Sequence, residues 1–256
     1  MAESRKFLTR RIISLDLHRI DYKQCLETII SVSKARTPAF VCFANVHMTI
    51  EGYWSIEFSK RLQNAFLVLS DGMPLVKAIQ FLYSERQDRI AGMDVMPDLL
   101  KMAEINNLGV FFFGSTDSEL KLISKKISTE FPRLKISGVL SPPFMKDLSD
   151  SNYCKIINDS GANIVFVALG CPKQENWMAL NSPLINSVLL GVGGAFPVYA
   201  GLVRRAPLWM QKYSLEWAFR LIQEPKRMWK RYLSTNSIFV YLILKDFIKG
   251  IFKHQK

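Results

Sequence analysis

Val188-Leu189-Leu190-Gly191-Val192-Gly193-Gly194-Ala195-Phe196 reads as a buried strand that runs into a glycine-rich turn and then a helix. Its apolar residues are continuous rather than alternating, which suits a strand covered on both faces. Working outward, the same kind of run recurs. Ala39 to Ala44 and Phe66 to Leu69 are the first two, and Val110 to Phe113 lies between Gly109 and Gly114. Ile164 to Leu169 ends in Gly170, and Leu134 to Leu140 is a weaker example. Helical stretches separate them, among them Met96 to Asn106 and Ser118 to Glu130. The second opens on Thr116-Asp117-Ser118-Glu119, a capping-box pattern, and Pro132 marks its exit.

Strand and helix alternate, with glycine at strand ends. That order predicts an α/β, Rossmann-like fold, a mainly parallel sheet flanked by helices. No linker, repeat or low-complexity stretch divides the chain. Near residue 200 the strands stop, and the remainder is helical, aromatic and basic. We therefore expect a Rossmann-like core over 1–200 and a helical C-terminal appendage over 201–256.

The 256 residues are 49% hydrophobic, enough for a full core and too many for a disordered chain. Net charge is +12, which implies an acidic partner such as a phosphorylated metabolite, an anionic membrane or nucleic acid. The charge is concentrated. Arg204, Arg205, Lys212, Arg220, Lys226, Arg227, Lys230 and Arg231 face only Glu216 and Glu224 in the same span. Four scattered cysteines form no CxxC pattern, which reads as a reduced, intracellular protein. The basic N-terminus is not followed by a long apolar run, so no signal peptide is expected. No apolar run approaches the roughly 20 residues that span a bilayer.

In an open α/β sheet, ligands bind beyond the carboxyl ends of the strands. Those positions carry Asn45, Asp71-Gly72, Gly114, Gly170 to Glu175 and Gly193-Gly194. Asp71 could act as a general base on a sugar hydroxyl, or could be a turn aspartate bonded to its own backbone. Asn45 could bind hydroxyls or cap the next helix. Neither Asp-x-Asp, GxGxxG nor a Walker sequence occurs, and the three histidines are scattered, so no metal and no cofactor are expected. The missing GxGxxG also disfavours a nucleotide-dependent oxidoreductase. Without a metal, arginine forks are the natural counter-charge for a diphosphate. Arg220, Arg227 and Arg231 are spaced by seven and four, with Pro225 interrupting their helix. Glu216 and Arg220 could equally be an ordinary i,i+4 pair. Aromatic residues interleaved with basic ones after residue 204 suit an anionic membrane surface. No RNA- or DNA-binding motif is present, so nucleic acid is not expected as a partner. A non-catalytic basic binding protein is the alternative class.

The segments Phe43-Ala44-Asn45, Ser70-Asp71-Gly72, Arg89 to Asp94, Phe112-Phe113-Gly114, Leu169 to Glu175, Gly191 to Phe196, Arg205-Ala206-Pro207 and Glu216 to Arg227 occur in the order found in one family. Over about Ile13 to Arg231 the chain resembles the WecG/TagA/CpsF glycosyltransferases (glycosyltransferase family 26), bacterial enzymes of cell-surface polysaccharide synthesis. The resemblance implies an inverting, metal-independent transferase. Its donor would be a UDP-sugar, of the N-acetylmannosamine type or a related hexose or uronic acid. Its acceptor would be a polyprenyl-pyrophosphate-linked sugar at the cytoplasmic membrane face, where the enzyme is peripheral. It implies Asp71 as base, with Asn45, Arg89 and Gln174 in the active site. Arg220 and Arg227 match arginines that close over the diphosphate, with Arg231 a looser match. Gly72, Gly114, Lys173 and Glu175 are expected to contact substrate, as are Gly193, Gly194, Arg204 and Arg205. A homo-oligomer is a further expectation. Two positions depart from the family pattern: Phe43 stands where threonine is frequent, and Pro197 follows Phe196 where aspartate is usual.

Overall fold

The continuous apolar runs become the centre of a six-stranded, all-parallel sheet in a computed structural model that describes residues 7–143, 152–213 and 215–253. In chain order the strands are β1 (Thr9–Ile12), β2 (Leu15–His18), β3 (Ala39–Ala44), β4 (Leu67–Ser70), β5 (Val110–Gly114), β6 (Ile136–Leu140), β7 (Ile164–Ala168) and β8 (Val188–Gly191). The helices are α1 (Tyr22–Lys34), α2 (Val46–Trp54), α3 (Ile56–Leu62), α4 (Met73–Tyr83), α5 (Gly92–Ile105), α6 (Asp117–Glu130), α7 (Asn152–Asp159), α8 (Lys173–Asn181), α9 (Ala195–Tyr199), α10 (Leu208–Lys212), α11 (Glu216–Gln223) and α12 (Pro225–Lys253). The α/β class and the parallel sheet are as the sequence predicts. The antiparallel β1–β2 hairpin is not anticipated by it.

The sheet runs β4-β3-β8-β7-β5-β6. Val41 lies in register with Leu67 on one side and Leu190 on the other, and Phe112 with Phe166. Side chains alternate between two apolar layers, as a pleated strand requires. Val41, Phe43, Phe112, Phe166 and Leu190 pack towards α1, α5, α6 and α9. Phe40, Cys42, Phe111, Phe113 and Leu189 pack on the opposite side, with residues of α2, α3, α4 and α8. Phe112 stacks on Phe166 at 5.4 Å and meets the edge of Phe196 at 5.7 Å, so the helix after the opening turn is tied to the sheet. Residues 39–44 and 188–191 are buried throughout because β3 and β8 are interior strands. β6 is an edge strand and only partly buried, which explains its weaker sequence signal.

Local signals explain several boundaries. Thr116 accepts a hydrogen bond from the Glu119 amide at 3.3 Å and starts α6. α5 begins at Gly92, four residues earlier than its apolar run suggests, with Pro97 inside it. Beyond α9 the described chain forms only helices. Pro225 separates α11 from α12, the interruption expected. The far half of α12 returns to the core, where Phe239, Leu242 and Ile243 are buried in the α2-side layer and Phe247 meets Phe81 with ring centroids 4.2 Å apart.

Candidate active site

Four adjacent strands, β4, β3, β8 and β7, deliver their carboxyl ends to one edge of the sheet. Asn45, Asp71, the Gly193-Gly194 turn and the start of α8 follow them. The Asp71 and Gly72 amides both donate to the carbonyl of Ala44, at 2.9 and 3.2 Å. A Cβ on Gly72 would lie 3.4 Å from the Asn45 Cα, so the absence of a side chain allows the two loops to touch. Asn45 is the cap of α2, its Oδ1 accepting from the Met48 amide at 3.1 Å. The capping alternative for Asn45 is therefore realised, and it places the residue beside Asp71.

Asp71 is not a closed turn aspartate. Its carboxylate faces Arg89, Oδ1 to Nη2 at 3.9 Å, with 29% of the side chain exposed. Burial pushes its proton affinity up to about 6, against the pull of Arg89 and Arg220 and with help from Glu216 and Asp94. Arg89 is held by two contacts. Its Nε donates to the Asp71 carbonyl at 2.8 Å and its Nη2 donates to Glu216 at 2.6 Å. The neighbouring Ile90 amide donates to Ser70, which anchors this segment to the end of β4.

The opening turn and its arginine meet. Arg220 lies across Gly194, its Nη1 3.6 Å from where a Cβ would stand, and its Nη2 reaches the Met93 sulfur at 3.4 Å. Gly193 has φ +42°, and a Cβ there would come 3.1 Å from Oε1 of Gln174. Gln174 is buried. Its Nε2 donates to Glu175 at 2.6 Å and to the Gly191 carbonyl at 3.0 Å, while its Oε1 has no hydrogen-bond partner. The amide thus braces the glycine turn from beneath.

The other expected residues are distributed unevenly. Arg205 makes a two-pronged bond to Asp94, at 2.5 and 2.8 Å. Arg204 and Lys173 are exposed, whereas Glu175 is fully buried and bonded to Gln174. Gly114 has φ +107°, and a Cβ there would fall 2.4 Å from the Ala168 carbonyl oxygen, so strand packing alone accounts for it. The side chains of Arg227 and Arg231 lie outside the described residues. Phe43 is buried against Gly92, and Pro197 lies within α9. Two residues gain importance that sequence reasoning did not assign: Asp94 and Glu216. Glu216 could be read from the sequence only as the i,i+4 neighbour of Arg220, and nothing in the sequence singled out Asp94. Among the described residues, no three His, Cys, Asp or Glu side chains converge as a metal site.

This arrangement offers one carboxylate of raised proton affinity under the influence of Arg220, the arginine that roofs the glycine turn. It can take a proton from a hydroxyl and hold an anion alongside. A family model for the "Glycosyl transferase WecG/TagA/CpsF family" matches residues 10–252. An N-acetylglucosaminyldiphosphoundecaprenol N-acetyl-beta-D-mannosaminyltransferase from Bacillus subtilis (strain 168) is 38% identical over 72% of this chain and 71% of its own length. Proteins of the same name are 31% identical in Bacillus spizizenii, over 85% of this chain and 80% of theirs, and 28% identical in Staphylococcus aureus (strain MW2), over 91% of each.

Proposed function

We propose a reaction from one premise: the chain belongs to the WecG/TagA/CpsF family of glycosyl transferases, and it is a glycosyltransferase. It moves a sugar of the N-acetylmannosamine type, or a related hexose or uronic acid, from a UDP-sugar to N-acetylglucosamine carried on a polyprenyl diphosphate. N-acetylmannosamine and the diphosphate-linked N-acetylglucosamine acceptor come from the names of its relatives, while the UDP donor and the hexose or uronic acid alternatives come from the family resemblance. The product belongs to a bacterial cell-surface polymer.

One observation carries the chemistry: the Asp71 carboxylate faces Arg89 at the end of β4, and Arg220, which lies over Gly194, is close enough to act on its charge, with burial pushing the carboxyl up to about 6. A carboxylate with that affinity is ionised at neutral pH yet is a stronger base than a free aspartate. It takes the proton of the acceptor hydroxyl as that oxygen attacks the anomeric carbon from the face opposite UDP, which inverts the centre. The bond to the UDP oxygen breaks, and the electron pair leaves with the diphosphate. Arg220 offsets that charge. Arg227 and Arg231 join it on the strength of the family resemblance alone. With no Asp-x-Asp in the sequence, arginines rather than a metal carry this task.

The acceptor lies in a membrane, and we place the enzyme peripherally on its inner face. Among the described residues no helix is long and apolar enough to cross a membrane. Exposed Leu208, Trp209, Tyr213 and Ile222, with Lys226 and Lys230, form the contacting surface. The decisive experiment measures UDP release with a polyprenyl-diphosphate N-acetylglucosamine acceptor. Asp71→Asn is expected to lower kcat by about 10²–10⁴-fold. Wild-type kcat in that variant overturns the base assignment.

A further inference from the structure

Three stretches of chain distant in sequence meet in one row of charge beside Asp71. Glu216 opens α11, one helical turn ahead of Arg220. Spacing alone would make the two an ordinary surface pair, yet Glu216 Oε1 stays 3.7 Å from Arg220. Its other oxygen accepts the 2.6 Å bond from Nη2 of Arg89, 127 positions away. Both side chains of that contact are largely buried, at 18% and 16% exposure. The same Nη2 stands 3.9 Å from Asp71, within ion-pair range and beyond hydrogen-bond range. Meanwhile Arg89 Nε is fixed to the Asp71 carbonyl. The guanidinium is therefore pinned at one end, and its free end is turned towards Glu216.

We propose that Glu216 is a positioning residue for this site: by holding the outer nitrogen of Arg89, it keeps that guanidinium from closing onto the Asp71 carboxylate. The inference rests on the reading of Asp71 as the base. A carboxylate hydrogen-bonded to arginine is a poor base, its proton affinity depressed by about 1–3 pKa units. Glu216 diverts the arginine and adds a negative charge of its own.

The surrounding charges point the same way. Asp71 at the end of β4, Asp94 on α5 and Glu216 on α11 face Arg89 before α5, Arg205 after α9 and Arg220 on α11. Arg205 is committed to Asp94 by two bonds. Without Glu216, Arg89 and Arg220 both lose their carboxylate partner on α11, and Asp71 is the acid left within reach of Arg89. Because Glu216 belongs to the appendage, the strength of the base then depends on α11 being docked.

The test is Glu216→Gln in the full chain, with ¹³C NMR titration of the Asp71 carboxyl carbon, assigned by its loss in Asp71→Asn. The midpoint is expected to fall by about one pH unit or more. The acid limb of kcat/KM is expected to move with it, and the plateau kcat to drop several-fold, far less than in Asp71→Asn. A merely structural role would lower activity at every pH and leave the limb in place. Glu216→Asp keeps the charge but shortens the reach; it is expected to lower the midpoint by less, and it serves if the glutamine variant does not fold. An unchanged or raised midpoint overturns the role of Glu216 even if Asp71→Asn is inactive. Full turnover in Asp71→Asn instead defeats the base reading, and the proposal with it, whatever the midpoint does.

Discussion

Replacing Asp71 by asparagine is expected to stabilise the protein at about pH 8 and to change its stability little at about pH 4. The folded protein raises the Asp71 carboxyl from 3.8 to about 6. The sign follows from linkage: the folded state holds this proton more tightly than the unfolded chain. Well below about pH 4 both states are protonated and no penalty exists. As pH rises through 4 to 6 the unfolded chain ionises first, and stability is lost. Above about 6 the loss is complete. Two pKa units at about 1.36 kcal/mol each set an upper bound of about 3 kcal/mol. With 29% of the side chain exposed to screening water, about 1.5–3 kcal/mol is the working range. For a chain of this length that is a rise in Tm of roughly 3–10 °C. The assay is a set of thermal melts of both proteins from about pH 4 to 8. His18 has the opposite sign: buried and accepting from the Val68 amide, it is held below its usual affinity and loses stability towards acid. It is present in both proteins and cancels in the difference. A gap between the two melting curves that does not change with pH refutes the argument, as does a less stable Asp71→Asn at pH 8.

Two further outcomes follow from the geometry. Gly114→Ala is expected to cost at least about 2–4 kcal/mol, read as a fall in Tm, because the new methyl meets the Ala168 carbonyl at 2.4 Å in a backbone region that L-residues avoid. Leu208→Glu combined with Trp209→Glu is expected to reduce co-flotation with anionic vesicles while moving Tm little, since both side chains are exposed; unchanged flotation counts against this surface as the membrane contact.

The sheet was legible because interior parallel strands cannot hide. Residues of β3, β5, β7 and β8 must be apolar on both faces, and the sequence has no other long-range reason for such runs. The β1–β2 hairpin carries Arg10, Arg11 and Asp16 in two four-residue strands, too short and too charged to give a period. Asp71 and Asn45 could be placed at a strand end from order alone, but not chosen between turn, cap and site. That choice depends on Arg89 and on the Ala44 carbonyl, which arrive from other loops. Glu216 was legible only as a neighbour of Arg220, because helical spacing is visible in sequence and a partner 127 positions away is not. Arg205 illustrates the same limit. A basic residue before a helix looks available to a ligand until the fold brings Asp94 against it.

The return of α12 to the core has a consequence for the arm as a whole. The chain leaves the core at the Arg205–Asp94 pair and rejoins it at Phe239, Leu242 and Ile243. Between them the described chain is a strap fastened at both ends and touching the core again through Glu216 and Arg220, rather than a tail. Such a strap can lift only as a closed loop, so Arg220 remains at an effective concentration on the order of millimolar over the glycine turn even when its contact there is broken. Recapture then costs little loop entropy. The length of the strap, more than the strength of any single ion pair, sets how far Arg220 can stray.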